Sequence, residues 1–197
     1  MAAPAYDRPF EPLVDLDGLW TVEMAERFLP IEGMPPTRYE AMNGRLIMSP
    51  REGSANSWAA AELVALMRKP AKKIGSRVYT ALNLSTGPKS WIEPDLVVLR
   101  KPAHKQTWLL PDEVLFPVEL VSPSSRRRDG IDKPAVCAEL GIPYFMRVDV
   151  SGAKAVIELL GLEGSQYTTI AEAMSGQRFE MTEPFEVAFD PSELLEH

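Results

Sequence analysis

The chain has 197 residues, 45% of them hydrophobic and 25% charged, and a net charge of −7, an ordinary composition for a soluble globular protein of one domain. A single cysteine, Cys137, excludes an intramolecular disulfide and a cysteine zinc cluster. The net acidity argues against a general nucleic-acid binder, and no signal peptide or membrane-length apolar stretch is evident, so the expectation is a cytoplasmic protein with no membrane association.

Residues 1–18 are rich in Pro and Asp without a period, and read as a loose N-terminal arm. A short helix is expected from Thr21 to Leu29, closed by Pro30. Residues 38–42 and 45–48 flank Asn43-Gly44, the strongest short signal for a β-hairpin. Ser54 to Lys69 reads as a helix capped by Ser54 or Ser57 and ended by Pro70. Alternation over 78–84 predicts one strand, broken by Gly87-Pro88. Strands follow at 93–99 and 114–121, separated by a polar loop, 100–112. A second helix is expected over 131–140 with Gly141 as its stop, then a strand at 144–150. Residues 154–190 read as a β-meander, and Leu195-Glu196-His197 as the start of a histidine tag. The domain boundaries are therefore drawn at 19–194, in an α/β (α+β) layout with a mixed sheet flanked by helices.

Charge is unevenly spread. Residues 1–50 hold 4 basic and 8 acidic side chains, a balance of −4; residues 51–133 hold 14 and 9, a balance of +5; residues 134–197 hold 3 and 11, a balance of −8. The basic stretch contains two carboxylates inside apolar runs: Asp95, in Glu93-Pro94-Asp95-Leu96-Val97-Val98, and Glu119, in Val118-Glu119-Leu120-Val121. A carboxylate in a buried strand is costly unless something pairs with it. Convergence of both on one divalent cation, Mg²⁺ or Mn²⁺, would remove that cost and create a site for phosphodiester hydrolysis. A backbone carbonyl beside Glu119 could add a ligand. Arg126-Arg127-Arg128 follows directly, a run suited to gripping a phosphate backbone.

Several segments together resemble a known family. Tyr39-Glu40-Ala41-Met42-Asn43-Gly44-Arg45 through Ser49-Pro50, Pro94-Asp95, Val118-Glu119-Leu120-Val121-Ser122-Pro123-Ser124-Ser125, Asp129-x-x-Asp132-Lys133 and Gly141-Ile142-Pro143-Tyr144-Phe145 form an ordered set. It resembles the bacterial family of restriction endonucleases first described as a domain of unknown function, within the PD-(D/E)XK nuclease superfamily. The resemblance spans about residues 20–190. It implies a restriction-endonuclease-like core and a metal-dependent endonuclease acting on DNA. It implies Asp95 and Glu119 as metal ligands, Glu40 as a further acid, and Lys133 in the role of the motif lysine, because that position is Val121 here. A homodimer follows if both DNA strands are cut. Three departures support an alternative, a catalytically vestigial module that binds nucleic acid or protein: Val121, the absence of a histidine among Ser54, Asn56 and Ser57, and Arg45 where the family carries an acid.

Overall fold

The structure is a computed structural model that describes residues 9–35, 37–122 and 125–196. Residues 1–8 of the expected arm, Pro36, Pro123-Ser124 and His197 lie outside the described residues. The chain divides into two compact units, one of residues 1–51 with 87–91 and one of residues 52–86 with 92–197.

In the first unit, α1 (Pro12–Asp15) places a proline in its first turn, where no N–H is needed. In α2 (Val22–Phe28), the Thr21 hydroxyl accepts from the Met24 N–H at 3.2 Å and satisfies a donor the helix leaves open. Strands β1 (Arg38–Met42) and β2 (Arg45–Ser49) pair with Met42 opposite Arg45. Asn43 and Gly44 both have positive φ, 52° and 80°, as a two-residue turn of this hand requires. A side chain at Gly44 would also collide with the Gly18 carbonyl. Trp91 pairs with Ala41 and donates its indole N–H to the Tyr39 carbonyl at 2.7 Å.

The second unit begins with α3 (Ser54–Lys73). Its buried positions, Asn56, Ala59, Leu63, Met67 and Ala71, recur every three or four residues and form one face. The helix runs through Pro70 instead of stopping there. Ala71 beyond the proline is fully buried in the core, and that packing holds the last turn despite the proline. The N-cap is Gly53, with no side-chain cap from either serine.

The strand expected at 78–84 is two strands, β3 (Arg77–Thr80) and β4 (Asn83–Gly87). Ala81, at φ 51°, turns the chain between them. Alanine carries no preference for that conformation, so the break left no mark on the alternation. After β5 (Ser90–Ile92) come β6 (Leu96–Leu99), β7 (Trp108–Leu109), β8 (Val114–Leu120), α4 (Lys133–Glu139), β9 (Tyr144–Asp149), β10 (Val156–Glu163), β11 (Gln166–Met174), β12 (Phe179–Met181) and β13 (Val187–Phe189). The polar loop 100–112 thus contains a short strand, β7, which pairs in parallel with β4. Leu195, read as tag, packs against the core.

A six-stranded sheet runs in the order β11-β10-β9-β8-β6-β3. Its neighbours are antiparallel except β8 and β9. A parallel pair cannot be joined by a tight turn, and α4 is the crossover between them. Alternation divides the strands between two cores. Leu96, Val98, Val118, Leu120, Met146 and Val148 face α3, whereas Val97, Leu99 and Phe145 pack with Cys137 of α4. Pro117 lies in a central strand, but the β8–β9 ladder starts one residue later at Val118, so its missing donor breaks no rung there.

Candidate functional site

Asp95 stands immediately before β6. The β6–β8 ladder pairs Val97 with Pro117 and Leu96 with Val118. Continued by one position, that register sets Asp95 opposite Glu119. The Asp95 carboxylate accepts from the Leu120 N–H at 2.6 Å, one residue from Glu119. On its other side, Glu119 is paired with Arg147 of β9, and Arg147 in turn with Glu158 of β10. Four adjacent strands therefore carry a transverse row: Asp95, Glu119, Arg147, Glu158.

Glu119 is 1% exposed and Lys133 3%. The Lys133 ammonium lies 2.9 Å from Glu119 Oε1 and 3.1 Å from Asp129 Oδ1. The crossover makes this possible. Glu119 points away from Val118 and Leu120, toward the face that α4 covers, and Lys133 is the first residue of α4. Pro134 falls in the first helical turn, where it is tolerated. Ahead of α4 the chain makes a π-helical turn over Arg128–Asp132, which carries Asp129. Cys137, one turn beyond Lys133, is fully buried; burial first, then the negative charge of Glu119, push its thiol well above the ordinary range, against a smaller opposing effect of Lys133.

The other expected residues are placed as follows. Val121, in the strand position of the motif lysine, is buried and donates its N–H to the Val148 carbonyl at 2.7 Å. Glu40 lies in β1 of the first unit, buried, across from Ile47. The arginine run does not act as a block. The side chains of Arg126 and Arg127 are 67% and 86% exposed, at 3.6 Å from Asp149 and 3.8 Å from Asp132. Arg128 is 27% exposed and turns inward, 4.0 Å from Asp129.

Three participants were not assigned from the sequence. Asp129 stands in the motif Asp129-x-x-Asp132-Lys133, and its spacing of four from Lys133 is the spacing of neighbours on a helix. Asn56 lies in the region where the family carries a histidine. It heads the buried face of α3, donating to the Leu120 carbonyl at 3.2 Å and to Glu52 at 2.7 Å. That carbonyl is one of those beside Glu119 expected as a possible ligand. Arg147 gave no sequence signal, because its importance comes from strand pairing. Among the described residues, no group of three or more His, Cys, Asp or Glu is placed to hold a metal ion.

Comparison with known proteins agrees on fold and family. A solved structure described as "a putative nuclease belonging to DUF820", from Anabaena variabilis ATCC 29413, superposes with a TM-score of 0.59 at 15% identity, covering 82% of this chain and 92% of that one. At that identity the likeness speaks for the fold alone. No curated protein matches the sequence. The profile of the Uma2 family, "Putative restriction endonuclease", matches residues 25–191. With most of its length inside that match, the chain belongs to the Uma2 family, a family of restriction-endonuclease type.

Proposed function

We propose that this protein is a divalent-metal-dependent endonuclease that hydrolyses DNA phosphodiester bonds. One observation carries the reading: a buried lysine amine at 2.9 Å from Glu119, on the strand whose register sets Glu119 opposite Asp95. Acid, acid and lysine are the three groups that this chemistry needs, and here they come from two adjacent strands and the crossover helix.

The donor set fits a hard cation. Asp95 and Glu119 supply carboxylate oxygens, with no imidazole or thiolate among the proposed ligands. Mg²⁺ accepts one or two carboxylates and keeps its remaining waters. When bound there, the cation would lower the pKa of a water and offset charge on the scissile phosphate. Lys133 keeps the buried Glu119 compensated and is within reach to orient water or phosphate as a point charge. Asp129 is a second carboxylate on the Lys133 ammonium, at 3.1 Å. Arg126 and Arg127, exposed and only loosely paired, are suited to exchange their carboxylate partners for DNA phosphates.

A binding module without cleavage is the competing reading, and Val121 is the observation that favours it. Mg²⁺-dependent nicking of supercoiled plasmid separates the two. The parent protein should nick in Mg²⁺ and stop in EDTA, and Asp95→Ala should not nick. A parent that neither nicks nor takes up Mg²⁺ in calorimetry leaves the binding module.

A further inference from the structure

The geometry points to Arg147 as a positioning residue that holds Lys133 on Glu119 through the π turn; this rests on the nuclease reading for its catalytic meaning, though not for its test. Arg147 sits beside Glu119 in the β8–β9 ladder. One guanidinium nitrogen, Nη1, donates to the Gly130 carbonyl at 3.0 Å. The other, Nη2, lies 2.7 Å from the Glu158 carboxylate on the next strand. Gly130 follows Asp129 inside the π turn, and Lys133 starts the helix that this turn leads into.

A closed circuit results. Glu158 orients Arg147, Arg147 ties the turn to the sheet at Gly130, and the turn sets both Asp129 and Lys133. Lys133 then returns to Glu119, next to Arg147. A buried lysine has three rotatable donors and a long stem, so its position is set by what holds its backbone. A planar fork can hold a carbonyl and a carboxylate at once, and an ammonium cannot do so with the same geometry. Arg147 also lines a cleft of about 260 Å³ together with Val121, Arg126, Gly130 and Glu158, so a direct contact with DNA is the rival role that the test must separate.

The test uses the full-length protein without metal and compares the parent with Arg147→Met and Arg147→Lys. Trace acetylation with acetic anhydride, read by peptide mass spectrometry, reports exposure of the Lys133 amine. Labelling of Cys137 with a thiol reagent reports opening of α4 itself. In Arg147→Met, acetylation of Lys133 should rise about tenfold, the change expected for losing a hydrogen bond that restrains a local opening. Cys137 should stay protected, and Arg147→Lys should fall between. Unchanged Lys133 labelling overturns the proposal, as does a parallel rise at Lys133 and Cys137, which would mark general unfolding. Where the parent nicks DNA, Arg147→Met should lower kcat and leave KM for DNA unaltered; a raised KM with kcat retained overturns it in favour of a DNA contact. A parent that does not nick removes the nuclease reading alone, because the labelling comparison still decides the positioning role.

Discussion

Replacing Lys133 with methionine tests the site and the cation at once. The ammonium is 2.9 Å from Glu119 and 3.1 Å from Asp129, with the three side chains 4%, 1% and 6% exposed. At an effective dielectric of about 20, a pair at such a distance is worth roughly 5 kcal/mol before desolvation is counted. Removing Lys133 takes the shared ammonium from two buried carboxylates, with Arg128 still 4.0 Å from Asp129, and breaking a buried pair in this way costs about 3–5 kcal/mol. For a chain of this size that is a fall in Tm of roughly 10 °C. The loss should appear in full in EDTA. If Asp95 and Glu119 hold Mg²⁺, the cation will replace the missing charge, and about 2.7 kcal/mol should return at a hundredfold excess over Kd. Urea unfolding of parent and Lys133→Met, each in EDTA and in Mg²⁺, gives the four numbers. Equal stability of the two proteins in EDTA would refute the electrostatic argument. Stability that Mg²⁺ raises in neither protein would refute the cation.

Other consequences are separately measurable. Asp95→Ala should abolish plasmid nicking and lower stability by about 1–3 kcal/mol, since the Leu120 N–H loses its charged acceptor; retained cutting would show that the roles are misassigned. Native Cys137 should resist a thiol reagent at mildly alkaline pH and react once the chain is unfolded, since burial and Glu119 keep the thiol protonated; prompt reaction of the native protein would contradict this. Gly44→Ala should cost more than about 1 kcal/mol, because positive φ and the Gly18 carbonyl both oppose a side chain; thermal melts of the variant would show it. Asp190 is held below its usual range by N–H donors from Ser192 and Gly176. A lowered carboxylate stabilises the fold above its unfolded pKa and loses that contribution as pH falls through the folded one. Asp190→Asn should therefore be less stable than the parent at neutral pH, and the gap should close in acid melts.

What could be read from the sequence was whatever local chemistry dictates. Asn43-Gly44 requires positive φ at two positions, and only one kind of hairpin turn provides it. Carboxylates at 95 and 119 in apolar runs demanded company, whatever that company turned out to be. What could not be read depends on pairing between distant strands. Nothing in the sequence around Arg147 marks it as the neighbour of Glu119, because that relation is created by a parallel ladder 28 residues apart, from 119 to 147. The turn at Ala81 and the continuation of α3 past Pro70 were hidden as well. In α3 the burial of Ala71 overrides the local preference set by Pro70, whereas Ala81 carries no residue-type signal for the positive φ it adopts.

The π turn ahead of α4 governs angular phase. An α-helix advances each residue by roughly 100° about its axis, and a five-residue turn takes up one residue more than the regular ladder would. Shorten the loop by one residue and the amine swings about a quarter-circle away from the carboxylate beneath it, with every side chain still present. Relatives of this protein that keep the acids and the lysine but differ by a single residue in that loop would thus be chemically complete and mechanically misaligned.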